Sequence, residues 1–300
     1  VTKDKPWGGS AARAFEAFDR VESIAAAALP PSLMAPVRRA VSRLLRNDRE
    51  LSRTPGPGLG SLDKRAPACE RFAEQFVVDV AGITEDDRCA LLAAMGSESL
   101  VFVQTLFVVD VFQRARIALE RLHGTQYGPM LLPPEQGDLW VALEDFMRVV
   151  AQSEALDPLT TELVRLRGAT VHNCRLCRSR LSVRAFDAAG DRSPFEAVDD
   201  YEHSALTVRQ KTALRLTDAV ITQPALIDEA LIGQVRAEFS TAESSEIILD
   251  VVRNATNKIA VAFSADAPVV SNGTEFFDTD EAGDVVADVD ADIVRRSTAH

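Results

Sequence analysis

Apolar residues recur along this chain mostly at three- and four-residue spacing, which predicts helices almost throughout. The start signals agree. Thr84 with Asp87, Thr207 with Gln210 and Ser240 with Glu243 stand three apart ahead of apolar runs, as in N-terminal caps where side chain and backbone bond reciprocally. Asp157 followed by Pro158 marks another start, because proline at the first helical position forfeits no helical hydrogen bond. The longest apolar stretch, Leu100 to Phe112, is broken by Gln104 and Asp110, and its Phe102, Phe107 and Phe112 are spaced for a core helix. Strand-like alternation is scarce before residue 270, so the expected fold is all-α.

Proline and glycine punctuate this pattern at 53–61 and 123–137, and the second cluster reads as a seam between two halves. Stretches 76–119 and 215–263 both run helix, polar break, helix, serine-led turn and long helix with a central aspartate. They match Asp79 to Asp218 and Asp110 to Asp250 at nearly equal offsets, which suggests a diverged duplication. The expected organisation is a helical half over 1–135 without a cysteine pair, a half over 136–265 with one, and an acidic tail or hairpin over 266–300. After Gly283, valine or alanine alternates with aspartate, which suits a short edge hairpin or a disordered acidic extension. Asp278, Asp280 and Gly283 resemble the start of a calcium loop, but Ala282 and Val289 stand where ligands are needed. Trp7 and Trp140 are expected to anchor packing, and the buried-helix aspartates to make interhelical hydrogen bonds, Asp250 with Arg253 or Asn254 in reach.

Composition narrows the function classes. With 300 residues and 46% apolar content the chain can bury a core, which excludes disorder throughout. A net charge of -12, from 45 acidic against 33 basic residues, argues against nucleic acid as the main partner. Nine acidic residues and no basic one lie between Asp266 and Asp292, so the tail supplies much of that imbalance. The first residues lack a basic-then-apolar leader pattern and no apolar run is uninterrupted over a membrane's width, so a soluble cytoplasmic protein is expected. Four cysteines are too few for a secreted disulfide scaffold, and in a reducing compartment a close pair is more often catalytic or metal-binding.

Cys174 and Cys177 form such a pair. The helix begun at Asp157–Pro158 carries Leu159, Leu163, Leu166 and Thr170 on one stripe with Glu162 at its border, where partial burial makes a carboxylate a candidate proton carrier. Asn173 suits the cap of a second helix, with Cys174 in its first turn and Cys177 one turn on. First-turn amides and the nearby Arg175, Arg178 and Arg180 would then favour a thiolate, and the spacing lets the thiols join with little backbone movement.

Glu162, eleven residues, Cys174, two residues and Cys177 resemble the E-x11-C-x2-C core of the carboxymuconolactone decarboxylase superfamily, in its AhpD-like alkylhydroperoxidase branch. The resemblance is strongest from about Asp157 to Ala188. It implies an all-helical homo-oligomer, a trimer or a multiple of it, that reduces peroxides without a bound cofactor. Cys177 would be the peroxidatic thiol, Cys174 the resolving thiol and Glu162 part of the proton relay, with a lipoyl protein or thioredoxin-like dithiol as reductant. The chain departs from the pattern at Leu181, where the family has a histidine four residues after the second cysteine, and at Leu176, a histidine in some members. Arg180 or Arg184 can hold a thiolate electrostatically but cannot carry protons near neutral pH. His172 can shuttle protons only if it folds back over the helix start; otherwise it is a loop histidine in water.

Three alternatives stay open on the residues. Structural zinc needs two further ligands from His172, His203, Cys69 or Cys89. A non-redox decarboxylase of the same superfamily would not need the cysteine pair. A helical interaction protein would use the six arginines between Arg165 and Arg184 to bind an anion or the chain's own acidic tail, which would then gate the thiols; failing that, they are solvated helix faces.

Overall fold

A computed structural model of the chain describes residues 9–54, 63–124, 133–270 and 273–287. Its order is α1 (Gly9–Ala27), α2 (Pro31–Leu44), α3 (Asp48–Arg53), α4 (Ala66–Val78), α5 (Glu85–Met95), α6 (Ser99–Phe107), α7 (Gln113–His123) and α8 (Leu139–Ala151). There follow α9 (Pro158–Val171), α10 (Arg175–Arg178), β1 (Arg180–Ser182), α11 (Val183–Ala189), α12 (Ser193–Glu196), α13 (Val208–Thr222) and α14 (Glu229–Glu238). The last elements are α15 (Thr241–Ala255), α16 (Lys258–Ala262), β2 (Glu275–Thr279) and β3 (Val285–Ala287). The fold is all-α, as its periodicity predicts. Trp7, most of the 53–61 cluster, residues 125–132 of the seam and residues 288–300 lie outside the described residues.

The helix starts follow from local chemistry. Reciprocal capping is present at Thr84/Asp87, Thr207/Gln210 and Ser240/Glu243, and Asp157 accepts the Thr160 N–H at 2.9 Å ahead of Pro158. The run Glu85–His123 is long and apolar enough to cross a membrane, yet Phe102, Phe107 and Phe112 at its middle are wholly buried in protein, and core packing accounts for the same apolarity. Phe112 packs between Phe18 of α1 and Phe146 of α8, with ring centroids 4.2 and 5.4 Å away, so one continuous core takes side chains from before and after the seam.

The interruption at Asp110 has a structural counterpart, a π-helical turn over Val108–Phe112. There the wholly buried Asp110 accepts from Arg114 Nε at 2.7 Å and Lys258 Nζ at 2.6 Å. Arg114 donates further to the carbonyls of Val77, Ile221 and Thr222, so one buried guanidinium ties the ends of α4 and α13 to α7. The aspartates matched by sequence differ in role. Asp79 caps a 3-10 turn, while Asp218 holds Arg167 and accepts the Tyr201 hydroxyl hydrogen at 2.8 Å. Asp250 makes none of the expected bonds to Arg253 or Asn254: its Oδ2 is buried without a partner. Trp140 is 39% exposed, its Nε1 donating to Glu144, so it edges the surface rather than anchoring the core.

Over the described residues 275–287 the acidic segment folds back onto the body as a hairpin. β2 pairs in parallel with β1, Arg180 opposite Glu275 and Ser182 opposite Phe277, and β3 returns antiparallel to β2. Arg175 pairs with Asp266, Arg180 with Glu275, Arg184 with Asp278, and Arg148 with Asp284 at 2.7 Å. Of the six arginines between Arg165 and Arg184, Arg175, Arg180 and Arg184 therefore dock the chain's own acidic segment, while Arg165, Arg167 and Arg178 have partners elsewhere. In the hairpin turn Asp280 Oδ1 accepts the N–H groups of Ala282 and Asp284, which is turn chemistry rather than ion chelation.

Candidate functional site

α9 ends in a reverse turn that sets the cysteines. Asn173 has φ 48°, the left-handed conformation that asparagine tolerates, and the Cys174 N–H returns to the Ala169 carbonyl at 2.9 Å while the Asn173 N–H returns to Thr170. Asn173 thus terminates the first helix instead of capping the second. The cap of α10 is Cys174, whose Sγ accepts the Cys177 N–H at 3.2 Å. The two sulfurs are joined in a disulfide with Cα atoms 5.3 Å apart, Cys174 1% and Cys177 7% exposed.

The electrostatic setting differs from the expected one. α10 has four residues, too few for a sizeable dipole, and its first amides are taken. Asp266 receives the Arg175 N–H on its carboxylate at 2.8 Å and the Leu176 N–H on its carbonyl at 2.9 Å, leaving only the Cys177 N–H directed at a sulfur. Burial raises the Asp266 pKa, but hydrogen bonds from Arg175 outweigh it and hold the carboxyl below its ordinary range. Arg178 is exposed and donates to Asn173 Oδ1 at 3.3 Å, and Arg180 is bound to Glu275, so neither guanidinium is free beside the thiols.

Glu162 is buried and forms a two-pronged ion pair with Arg165 at 2.7 and 2.6 Å, with a third bond from the Ser182 N–H at 3.0 Å. Arg165 in turn holds the carbonyls of Cys177 and Arg180 at 2.8 and 2.7 Å. Glu162 therefore braces the cysteine turn from behind through Arg165. Leu181 is buried in a small apolar cluster with Val183, Phe186 and Phe276.

A cavity of about 230 Å³ opens beside the pair, walled by Cys174, Cys177, His172, Arg165, Arg253 and Phe277 among others. His172 caps the end of α9 half-buried, not as a loop side chain in water. Burial, then the positive charges of Lys258 and Arg114, push its pKa well below the ordinary histidine value, which favours the neutral imidazole and weakens it as a base. Cys69 is buried apart, its thiol pushed up to about 11 by burial, and Cys89 is exposed on α5. Among the described residues no three His, Cys, Asp or Glu side chains are grouped to hold a metal.

Two features of the site were missed in the sequence: the Asp266 anchor on α10, and Arg253 with Asn254 on the cavity wall. A lone arginine inside the apolar run of α15 was the available signal for the second.

An all-α protein with a buried disulfide beside a cavity defines the class. The chain is 42% identical over 211 residues, covering 68% of its own length and 74% of theirs, to the uncharacterized proteins MT2376 and Rv2313c of two Mycobacterium tuberculosis strains. It belongs to the same family as these mycobacterial proteins. No family model matches the chain, and no solved structure matches it.

Proposed function

We propose that this chain is a thiol-dependent oxidoreductase of the carboxymuconolactone decarboxylase superfamily that reduces a hydroperoxide through a Cys174/Cys177 dithiol–disulfide cycle. The observation that carries the reading is the Cys174–Cys177 bond on the wall of a cavity that also contains the neutral His172. The spacing of Glu162, Cys174 and Cys177 supports it independently.

In the reduced protein the Cys177 thiolate attacks the terminal peroxide oxygen. The O–O bond breaks, the alcohol leaves with a proton, and Cys177 becomes a sulfenic acid. Cys174 then attacks the Cys177 sulfur, gives up its proton, and expels water as the disulfide forms. His172 is the histidine on the cavity wall and carries protons in place of the residue replaced by Leu181. An external dithiol, of lipoyl-protein or thioredoxin type, restores both thiols by exchange. A homo-oligomer, a trimer or a multiple of it, belongs to the same reading.

The test uses reduced protein and one equivalent of cumene hydroperoxide, with cysteines mapped by mass spectrometry. Peroxide loss matched by Cys174–Cys177 disulfide, abolished by Cys177→Ser, is expected; Cys174→Ser leaves a sulfenic acid on Cys177 that dimedone traps. Peroxide consumption no faster than by free dithiothreitol ends the reading.

One observation favours a second reading, a helical interaction protein with a structural staple: both sulfurs are buried and most of the α10 amides are bound elsewhere. A reduction potential below about −300 mV favours the staple.

A further inference from the structure

We infer that the cavity beside the cysteine pair is a binding site for a small organic carboxylate with an apolar body, held at its charged end by Arg253 and Asn254. The inference names the substrate class of the proposed oxidoreductase and rests on that reading for turnover, but not for binding.

The arginines on this cavity wall differ in one respect. Arg148 is paired with Asp284, Arg165 with Glu162 and Arg180 with Glu275, whereas among the described residues the Arg253 guanidinium has neither a hydrogen bond nor an ion pair. A half-buried guanidinium cannot shed its charge, so it calls for an anion. The acids nearest in sequence and space do not supply one. Asp250, one turn earlier on α15, makes no hydrogen bond or ion pair with the Arg253 guanidinium, its Oδ2 being buried without a partner, and Glu162 is committed to Arg165. The next residue has the same need: Asn254 Nδ2 is buried without an acceptor and also lines the cavity.

Two adjacent donors without acceptors call for oxygen atoms. A carboxylate offers two in the plane that matches a guanidinium fork, and a neighbouring amide fits the same group. Met147, Phe277, Leu176 and Ala169 give part of the wall an apolar surface, against which an apolar ligand body can pack. At about 230 Å³ the space suits a ligand smaller than the occupants of typical pockets of ~300–1,000 Å³. Two acids also line the cavity. Asp284 is committed to Arg148, while Glu144, which accepts from Trp140 Nε1, repels an anion and directs its charged end toward α15. A carboxylate held at α15 leaves its apolar body in a cavity bounded by the disulfide, so the peroxide group of a carboxylated hydroperoxide would be carried on that body.

The test is calorimetric titration of the disulfide form, which cannot consume peroxide, with octanoate. Saturable binding of one octanoate per chain is expected, with no binding of octan-1-ol. Arg253→Gln should weaken octanoate at least tenfold and Asn254→Ala severalfold. Equal binding of octan-1-ol, or unchanged affinity in a folded Arg253→Gln, overturns the inference; if that variant does not fold by circular dichroism, the wild-type comparison and Asn254→Ala decide. Octanoate binding without consumption of any peroxide by the reduced protein would discard the oxidoreductase and keep the site. Consumption of cumene hydroperoxide with no octanoate binding would do the reverse.

Discussion

The Asp266 carboxylate accepts the Arg175 backbone N–H at 2.8 Å and its guanidinium at 2.7 Å, so a residue 91 positions away anchors the first turn of α10 between the two cysteines. Asp266→Ala should cost about 1–2 kcal/mol and speed reduction of the disulfide by dithiothreitol, because α10 loses its anchor. The Asp266 pKa is depressed, so this stabilisation is present above the ordinary carboxylate value and fades only as pH falls through the lower folded value. Urea denaturation and reduction kinetics identical to wild type would show that the anchor holds nothing.

Arg114 is buried and its guanidinium makes four hydrogen bonds. Replacing it by methionine frees three carbonyls on α4 and α13 and leaves Asp110 to Lys258 alone. A loss of about 3–5 kcal/mol is expected, read as a shift of the urea midpoint.

Gly283 presses the hairpin turn onto α8. Its φ is 87°, and a Cβ there would stand 2.4 Å from the Arg148 carbonyl oxygen and 2.8 Å from its Cα, both backbone atoms that cannot swing aside. Gly283→Ala should lift the hairpin, costing about 1–3 kcal/mol and accelerating amide exchange over 275–287. Arg148→Ala removes only exposed ion pairs to Asp284 and Asp145 and should leave the urea midpoint close to that of wild type.

Asp250 gives a pH test. Burial, then Glu246, raises its pKa far above the ordinary value, with Arg253 opposing. A raised folded pKa gives stability that is full below the unfolded value and lost as pH rises through the folded one. Asp250→Asn should therefore stabilise the protein by about 1 kcal/mol or more near pH 8 and by little near pH 3. A gain independent of pH would contradict the assignment.

His172 and His203 should titrate apart. Burial depresses the first, whereas the hydrogen bond to Asp200 raises the second. NMR at about pH 6 should show His203 charged and His172 neutral. Because the folded pKa of His172 is depressed, its contribution to stability is present above about 6.5 and declines below it. Both imidazoles protonating together would remove the neutral base from the cavity.

Much of the fold was legible in the sequence because the relevant interactions span three or four residues. Thr207 needs only Gln210 to begin α13, and Asp157 only Thr160 to begin α9. Asn173 shows where such reasoning fails: asparagine suits both the start of one helix and the left-handed end of another. Neighbouring residues do not separate these roles; the long return of the Cys174 N–H to Ala169 does. The interruption at Asp110 was visible, but Arg114 and Lys258 as its partners were only partly so, since Lys258 lies 148 residues on.

The chain by itself determined the all-α class, the helix starts, the Cys174/Cys177 spacing and the apolar spine through Phe102, Phe107 and Phe112, because periodicity and caps are short-range properties. Only the tertiary structure decided that Arg180 lies opposite Glu275 in paired strands, that Asp266 anchors the cysteine turn, and that the Arg253 guanidinium beside it has no ion pair among the described residues. The reason is that charge compensation depends on distance in space: which arginine is satisfied follows from which distant carboxylate the packed helices bring within about 3 Å of it.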